Sequence, residues 1–234
     1  KDIFELLDSA ERSLFDITDQ NLNTAYERLG ALALKTQKEI EAVSRQTGEL
    51  TGITTGFEEL DKITSGWQPS DLIILAARPG MGKTAFALSL GRNAALANKA
   101  VAIFSLEMSK SQLVQRLIAM EAEINSHKIR NGKLDEYEWK KLHEAVERMM
   151  NIEIYIDDTP AINIFELRAK CRRMKQQHNI QLVVIDYLQL MSSAPGQTRG
   201  NREQEISTIS RSLKSMAKEL NVPIIALSQL SRAV

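Results

Sequence analysis

The sequence predicts an α/β domain with a mainly parallel sheet flanked by helices, and three observations carry that expectation. Short, apolar, mostly β-branched runs recur along the chain. Helical apolar periods lie between them. The first run passes into its helix through a glycine-bearing turn that ends in Lys83 and Thr84.

Taken in order, the chain opens with Ile3, Leu6, Leu7, Ala10, Leu14 and Ile17 on one helical stripe, with charged residues between them. A second helical pattern runs through Leu22, Ala25, Leu29, Ala33, Ile40 and Val43. Residues 1–46 therefore read as a helical segment separate from the main domain. It either docks on a partner or a neighbouring copy, or folds back on its own domain. A glycine- and threonine-rich stretch from Thr47 to Gly56 marks the boundary, so the main domain spans 47–234. Thr55 and Glu58 have the spacing of a capping box, starting a short helix through Leu60 and Ile63 that Gly66 would cap.

Five runs then suit strands buried on both faces: Leu72–Ala77, Ala100–Ser105, Ile152–Ile156, Gln181–Asp186 and Pro223–Leu227. Between them the period predicts helices over Lys83–Leu96, Ser109–Glu121, Leu134–Met150, Asn163–His178 and Asn201–Leu220. Cys171 falls on the apolar stripe of the fourth, which makes it a core residue rather than a reactive one. Residues 192–200 are polar and turn-rich and read as a mobile loop. Right-handed crossovers are expected throughout.

Bulk properties exclude little. Thirty basic and thirty acidic residues balance, so net charge neither implies nor excludes a nucleic-acid partner. One cysteine rules out an internal disulfide framework and fits a reducing compartment. No apolar run is long enough for a membrane span, and the expected location is cytoplasmic. The chain starts at Lys1 rather than a methionine, which reads as a fragment or a processed product.

The chemistry is concentrated at residues 77–85, read as Ala77, Arg78, Pro79, Gly80, Met81, Gly82, Lys83, Thr84 and Ala85. After a strand and opening a helix, this is a phosphate-binding loop. Its amides would approach the phosphates, Lys83 would reach the β- and γ-phosphates of ATP, and the Thr84 hydroxyl would ligate Mg²⁺. Ala77 stands where the pattern has its first glycine. Asp186 ends the run Leu182–Asp186, where a second acidic residue holds Mg²⁺. The next residue is Tyr187, not a glutamate, so the catalytic base must come from elsewhere. Glu107 follows the second strand, expected next to the first in the sheet, and is the candidate base. Alternatively it complements the dipole of the helix begun by Ser109 and Gln112, worth about 0.3–1 kcal/mol. Gln229, after the fifth strand, faces the ligand crevice as a γ-phosphate sensor or is a plain loop residue. Lys170, Arg172, Arg173 and Lys175 read as a solvated helix face, and Arg199 and Arg202 as candidate phosphate contacts.

Five segments together resemble the motor domain of the DnaB family of bacterial replicative DNA helicases, RecA-like hexameric ATPases. They are T-G-F-E-E-L-D at 55–61, S-D-L-I-I-L-A-A-R-P-G-M-G-K-T-A-F-A-L at 70–88, A-I-F-S-L-E-M-S at 102–109, V-I-D-Y-L-Q-L-M at 184–191 and A-L-S-Q-L-S-R at 226–232. The resemblance implies a ring of six copies with ATP between neighbours and single-stranded DNA through the centre, translocating and unwinding duplex. It assigns nucleotide and Mg²⁺ to Lys83 and Thr84, the metal to Asp186, the base to Glu107, and coupling to the DNA side to Gln229. Residues 1–17 resemble the family's linker helix, which packs on the adjacent subunit. The primase-contacting N-terminal domain lies outside this chain. So do the main DNA-binding loop and the arginine finger expected beyond Val234, and any loader contact. Two alternatives stand beside this one: a RecA-like recombinase or regulatory ATPase, and a nucleotide-gated assembly scaffold.

Overall fold

The computed structural model describes residues 28–44, 50–191 and 202–230. The helical stripe over residues 3–17, the turn-rich 192–200 and Arg199 lie outside the described residues. The chain divides into two compact units, 1–48 and 49–234. In the first, α1 spans Leu29–Ser44.

The second unit begins with Ile53 bridged to Trp67, enclosing α2 (Glu58–Thr64). The capping box expected from Thr55 and Glu58 is not formed. Phe57 is the N-cap, without a side-chain cap bond. The Thr55 hydroxyl instead accepts from Phe57 N at 3.1 Å, while Asp61 accepts from Thr55 N at 2.8 Å and from Thr54 Oγ1 at 2.6 Å. A carboxylate one turn into the helix is the stronger acceptor and takes the donors first. The C-cap is Ser65, at φ 54°, rather than Gly66, which follows it at φ 80°. Gly66 is required by close approach, since a Cβ there would lie 2.8 Å from the Gly52 carbonyl carbon.

Strands and helices then alternate: β1 (Leu72–Ala77), α3 (Lys83–Leu96), β2 (Val101–Ser105), α4 (Lys110–Ala122), α5 (Ser126–Asn131), α6 (Glu136–Met149), β3 (Ile154–Asp157), α7 (Ile164–His178), β4 (Leu182–Asp186), a 3-10 turn (Leu188–Leu190), α8 (Arg202–Leu220) and β5 (Ile224–Gln229). Helix α5, absent from the sequence expectation, fits between Asn125, whose side chain accepts from His127 N, and Gly132 in the left-handed region.

All strand pairs are parallel, in the order β1-β5-β4-β2-β3. The period of two sorts the strands onto two cores. Ala102, Phe104, Val183, Ile185, Ile224 and Ala226 pack with Leu167, Cys171, Leu213 and Met216 of α7 and α8. Val101, Ile103, Leu182, Val184, Ile225 and Leu227 pack with Leu88, Leu90, Leu113 and Leu117 of α3 and α4. Strands β2 and β4 are buried along their whole length. Strand β1, expected to be buried, leaves Ile74 46% exposed, because among the described residues it pairs on one side only.

Glu121 ties three helices together. Arg92 of α3 donates to it at 2.6 Å and Arg148 of α6 at 2.7 Å. Burial pushes this carboxyl up, but the two guanidinium groups outweigh it and hold it below its ordinary value. Burial, then the nearby Asp157 carboxylate, push the Cys171 thiol up to about 12, as a core cysteine requires. On the outer face of α7, Lys170 pairs with Asp157, Arg172 with Glu219, and Lys175 donates to the Ile180 carbonyl. Among the described residues no helix is long and apolar enough to cross a membrane.

Candidate active site

The loop between β1 and α3 is shaped by two glycines. Gly80 and Gly82 sit at φ 80° and 84°, the latter as N-cap of α3. A Cβ at either would meet nothing within 4 Å, so the demand is for left-handed backbone rather than for space. An L-residue there costs roughly 1–2 kcal/mol. Ala77 is the last residue of β1 and is not among the positive-φ residues, so alanine carries no such penalty in place of glycine.

The helix does not start above its own strand. Thr84 Oγ1 donates to Asp186 Oδ2 at 2.6 Å, which sets the first turn of α3 over the end of β4. The loop has therefore crossed β5, about 10 Å at two interstrand spacings. This corrects the expected adjacency: β2, which leads to Glu107, is separated from β1 by β5 and β4. Glu107 reaches the loop because β2 neighbours β4, and the chain crosses to meet it.

Asp186 is 3% exposed. Lys83 Nζ lies 3.9 Å from its Oδ1, beyond hydrogen-bond length, and that oxygen has no hydrogen-bond partner. A buried carboxylate oxygen without a donor, beside a threonine hydroxyl, is a hard-oxygen corner suited to a divalent cation. The Lys83 ammonium also stands 4.3 Å from the ring centroid of Tyr187. The Asp186–Tyr187 peptide is cis.

Glu107 is placed by the turn that leaves β2. Leu106 N donates to Asp186 O at 2.7 Å, joining that turn to the corner. Buried Ser105 closes it, accepting from Met108 N at 3.1 Å and donating to Met108 O at 2.8 Å. The capping box expected from Ser109 and Gln112 is formed and starts α4. Glu107 itself is exposed.

These parts meet in one cavity of about 380 Å³, lined by residues 77–80 and 82–85 with Glu107, Arg116 and Gln229. Met81 is 74% exposed and not part of the lining. Arg116 belongs to no motif of the sequence. It lies one helical turn beyond Gln112 on the helix that Glu107 precedes, and that spacing was the available signal. It makes no hydrogen bond or ion pair among the described residues. A concave site with a glycine loop, one lysine, an acidic corner, a second carboxylate and the guanidinium groups of Arg78 and Arg116 can bind a polyphosphate and activate water beside it.

The DnaB-like helicase C terminal domain model matches residues 52–234. Over 230 residues the chain is 51% identical to a replicative DNA helicase DnaB of Geobacillus stearothermophilus, covering 98% of this chain and 50% of that one. A replicative DNA helicase DnaC of Bacillus subtilis (strain 168) is 47% identical over 234 residues, covering 100% of this chain and 51% of that protein. The chain thus spans about half the length of these curated relatives. Among solved structures, one described as an ATPase domain superposes with a TM-score of 0.80 at 38% identity, covering 89% of this chain and 73% of that one. A DnaB-like replicative helicase, described with its interactions with primase, gives a TM-score of 0.77 at 36% identity, covering 95% of this chain and 53% of that one.

Proposed function

The chain belongs to the DnaB-like helicase C-terminal domain family, and on that premise we propose that it is the ATP-driven motor of a replicative DNA helicase. ATP would occupy the cavity under the amides of the loop, and six copies would close a ring around single-stranded DNA. Hydrolysis between neighbours would drive translocation and unwinding. Primase and a loader would engage through regions outside this chain, in the cytoplasm.

Each residue has a distinct task in this reading. Lys83 would meet the β- and γ-phosphate oxygens. Thr84 and Asp186 would hold Mg²⁺, which when bound neutralises charge on the phosphates. Glu107 would accept the proton of the water that attacks the γ-phosphate. Arg116 would add positive charge at the same end of the cavity. Gln229 would carry the state of the phosphates to the DNA side. The observation that supports this most is the meeting of the loop, Glu107 and Gln229 in one cavity above the Thr84–Asp186 pair.

Glu107→Gln tests it in the full-length protein with single-stranded DNA present. ATP turnover should fall about 10²–10⁴-fold, the usual worth of a positioned base, with ATP affinity nearly constant. If Glu107 only complements the dipole of α4, the cost is under about 1 kcal/mol of stability and turnover survives. Turnover within a few-fold of wild type removes the base assignment.

A further inference from the structure

The C-terminal end of β5 carries Gln229 into the cavity, yet it outruns the strand beside it. Pairing of β4 with β5 stops at Ile185 and Ala226. Beyond that point Asp186 ends β4, and Tyr187 leads into the 3-10 turn. On its other side β5 stays paired to β1 through Ala76–Ser228 and Ala77–Gln229. Ser228 and Gln229 would therefore have strand pairing on one side only.

The side chain of Gln189 occupies the other side. Its Nε2 donates to Ser228 Oγ at 2.9 Å and to Gln229 O at 3.1 Å. Gln229 N in turn donates to Gln189 Oε1 at 3.2 Å. A carboxamide has the donor and acceptor of a peptide group, so it can serve as a one-residue substitute for a neighbouring strand. Opposite it, Leu230 N donates to Ala77 O at 3.1 Å, so the chain at Gln229 is gripped between the phosphate loop and the turn after Asp186.

We infer that Gln189 is a positioning residue: its amide clamps the end of β5 and thereby fixes where Gln229 stands in the nucleotide cavity. The inference rests on the reading of Gln229 as part of the nucleotide site. A shift at Asp186 reaches Gln229 through this clamp, because Gln189 sits three residues along the same turn. Without it, β5 ends held from the β1 side only, and Gln229 samples positions away from the cavity.

The experiment compares Gln189→Met, Gln189→Glu, Gln229→Ala and the Gln189→Met/Gln229→Ala double variant in the full-length protein, measuring ATP turnover with single-stranded DNA. Methionine keeps the length and loses these three bonds. It should lower kcat about 10-fold while KM for ATP moves less than about 2-fold, the pattern of lost alignment rather than lost binding. Glutamate keeps an acceptor for Gln229 N and for the Ser228 hydroxyl but sets an oxygen against the Gln229 carbonyl, so its kcat should fall between those of Gln189→Met and wild type. The double variant should turn over no more slowly than Gln229→Ala, because both changes act through one residue. If the methionine variant does not fold, Gln189→Glu carries the comparison, with the same non-additivity expected. Multiplying losses in the double variant overturn the inference. So does a lowered melting temperature with kcat and KM at wild-type values. If Gln229→Ala itself turns over ATP like wild type, the reading of the site fails first and the clamp with it. If Gln229→Ala is slow and Gln189→Met is not, only the clamp fails.

Discussion

Residues 78–82 take their shape from what their own backbone permits, whereas Asp186 and Glu107 take their places from what the rest of the domain packs around them. In the loop, Gly80 and Gly82 supply left-handed φ, and a side chain at either would touch nothing. At the corner, Asp186 is 3% exposed and ends a strand buried along its whole length. One half of the site is local and solvated; the other is an extension of the core. A substitution in the loop should therefore act on ligand binding with little effect on folding, and one behind the corner should act on folding first.

The largest effect is expected behind the corner. Phe104 is 1% exposed and sits in β2, two residues before the turn that leads to Glu107. Phe104→Ala should cost about 3–5 kcal/mol of unfolding free energy through lost burial and a residual cavity. Denaturant unfolding measures it, and a loss under about 1 kcal/mol would break the claim that the core carries this half of the site.

Lys83→Ala comes next and should move the other observable. Its charge-assisted contacts to phosphate are worth about 1.5–3 kcal/mol, so affinity for ATP should fall roughly 10–100-fold. Lys83 also pairs with the buried Asp186 carboxylate at 3.9 Å and stands 4.3 Å from the Tyr187 ring centroid, so the melting temperature without nucleotide should fall too, by less than for Phe104→Ala. Calorimetric titration and a thermal melt on the same sample separate the two.

The smallest effect sharpens the boundary between the halves. Ala77 belongs to β1 and needs no positive φ, so Ala77→Gly should not improve ATP binding. It should cost about 0.5–1 kcal/mol of stability, the usual penalty of glycine in a strand. A gain in affinity would move Ala77 from the sheet into the loop.

The same division explains what could be read in the sequence. The loop was legible residue by residue, because Gly80, Gly82, Lys83 and Thr84 act at fixed spacing along the chain. The apolar runs marked all five strands, with ends shifted by a residue or two, since burial and pairing do not stop at the same place. Strand order was not legible. Glu107 was expected beside the strand of the loop, and it lies across two intervening strands, because helix packing on both faces selects the order. The Thr55 cap failed for a similar reason: the motif was present, but Asp61 competed for the same donors. Arg116 carries only its one-turn spacing from Gln112, and Gln189 no spacing at all. Both matter through the element that faces them, which only the folded chain brings near.

Cys171 sits in the core with its thiol pushed up to about 12, and it is the single cysteine in these 234 residues. Thiolate is therefore scarce at neutral pH, and the sulfur is closed to bulky reagents. For spectroscopy, that makes the chain a ready host for a reporter. A cysteine introduced at an exposed position such as Met81 could take a maleimide dye with the native thiol left in place, and distances from the phosphate loop could then be compared with and without ATP.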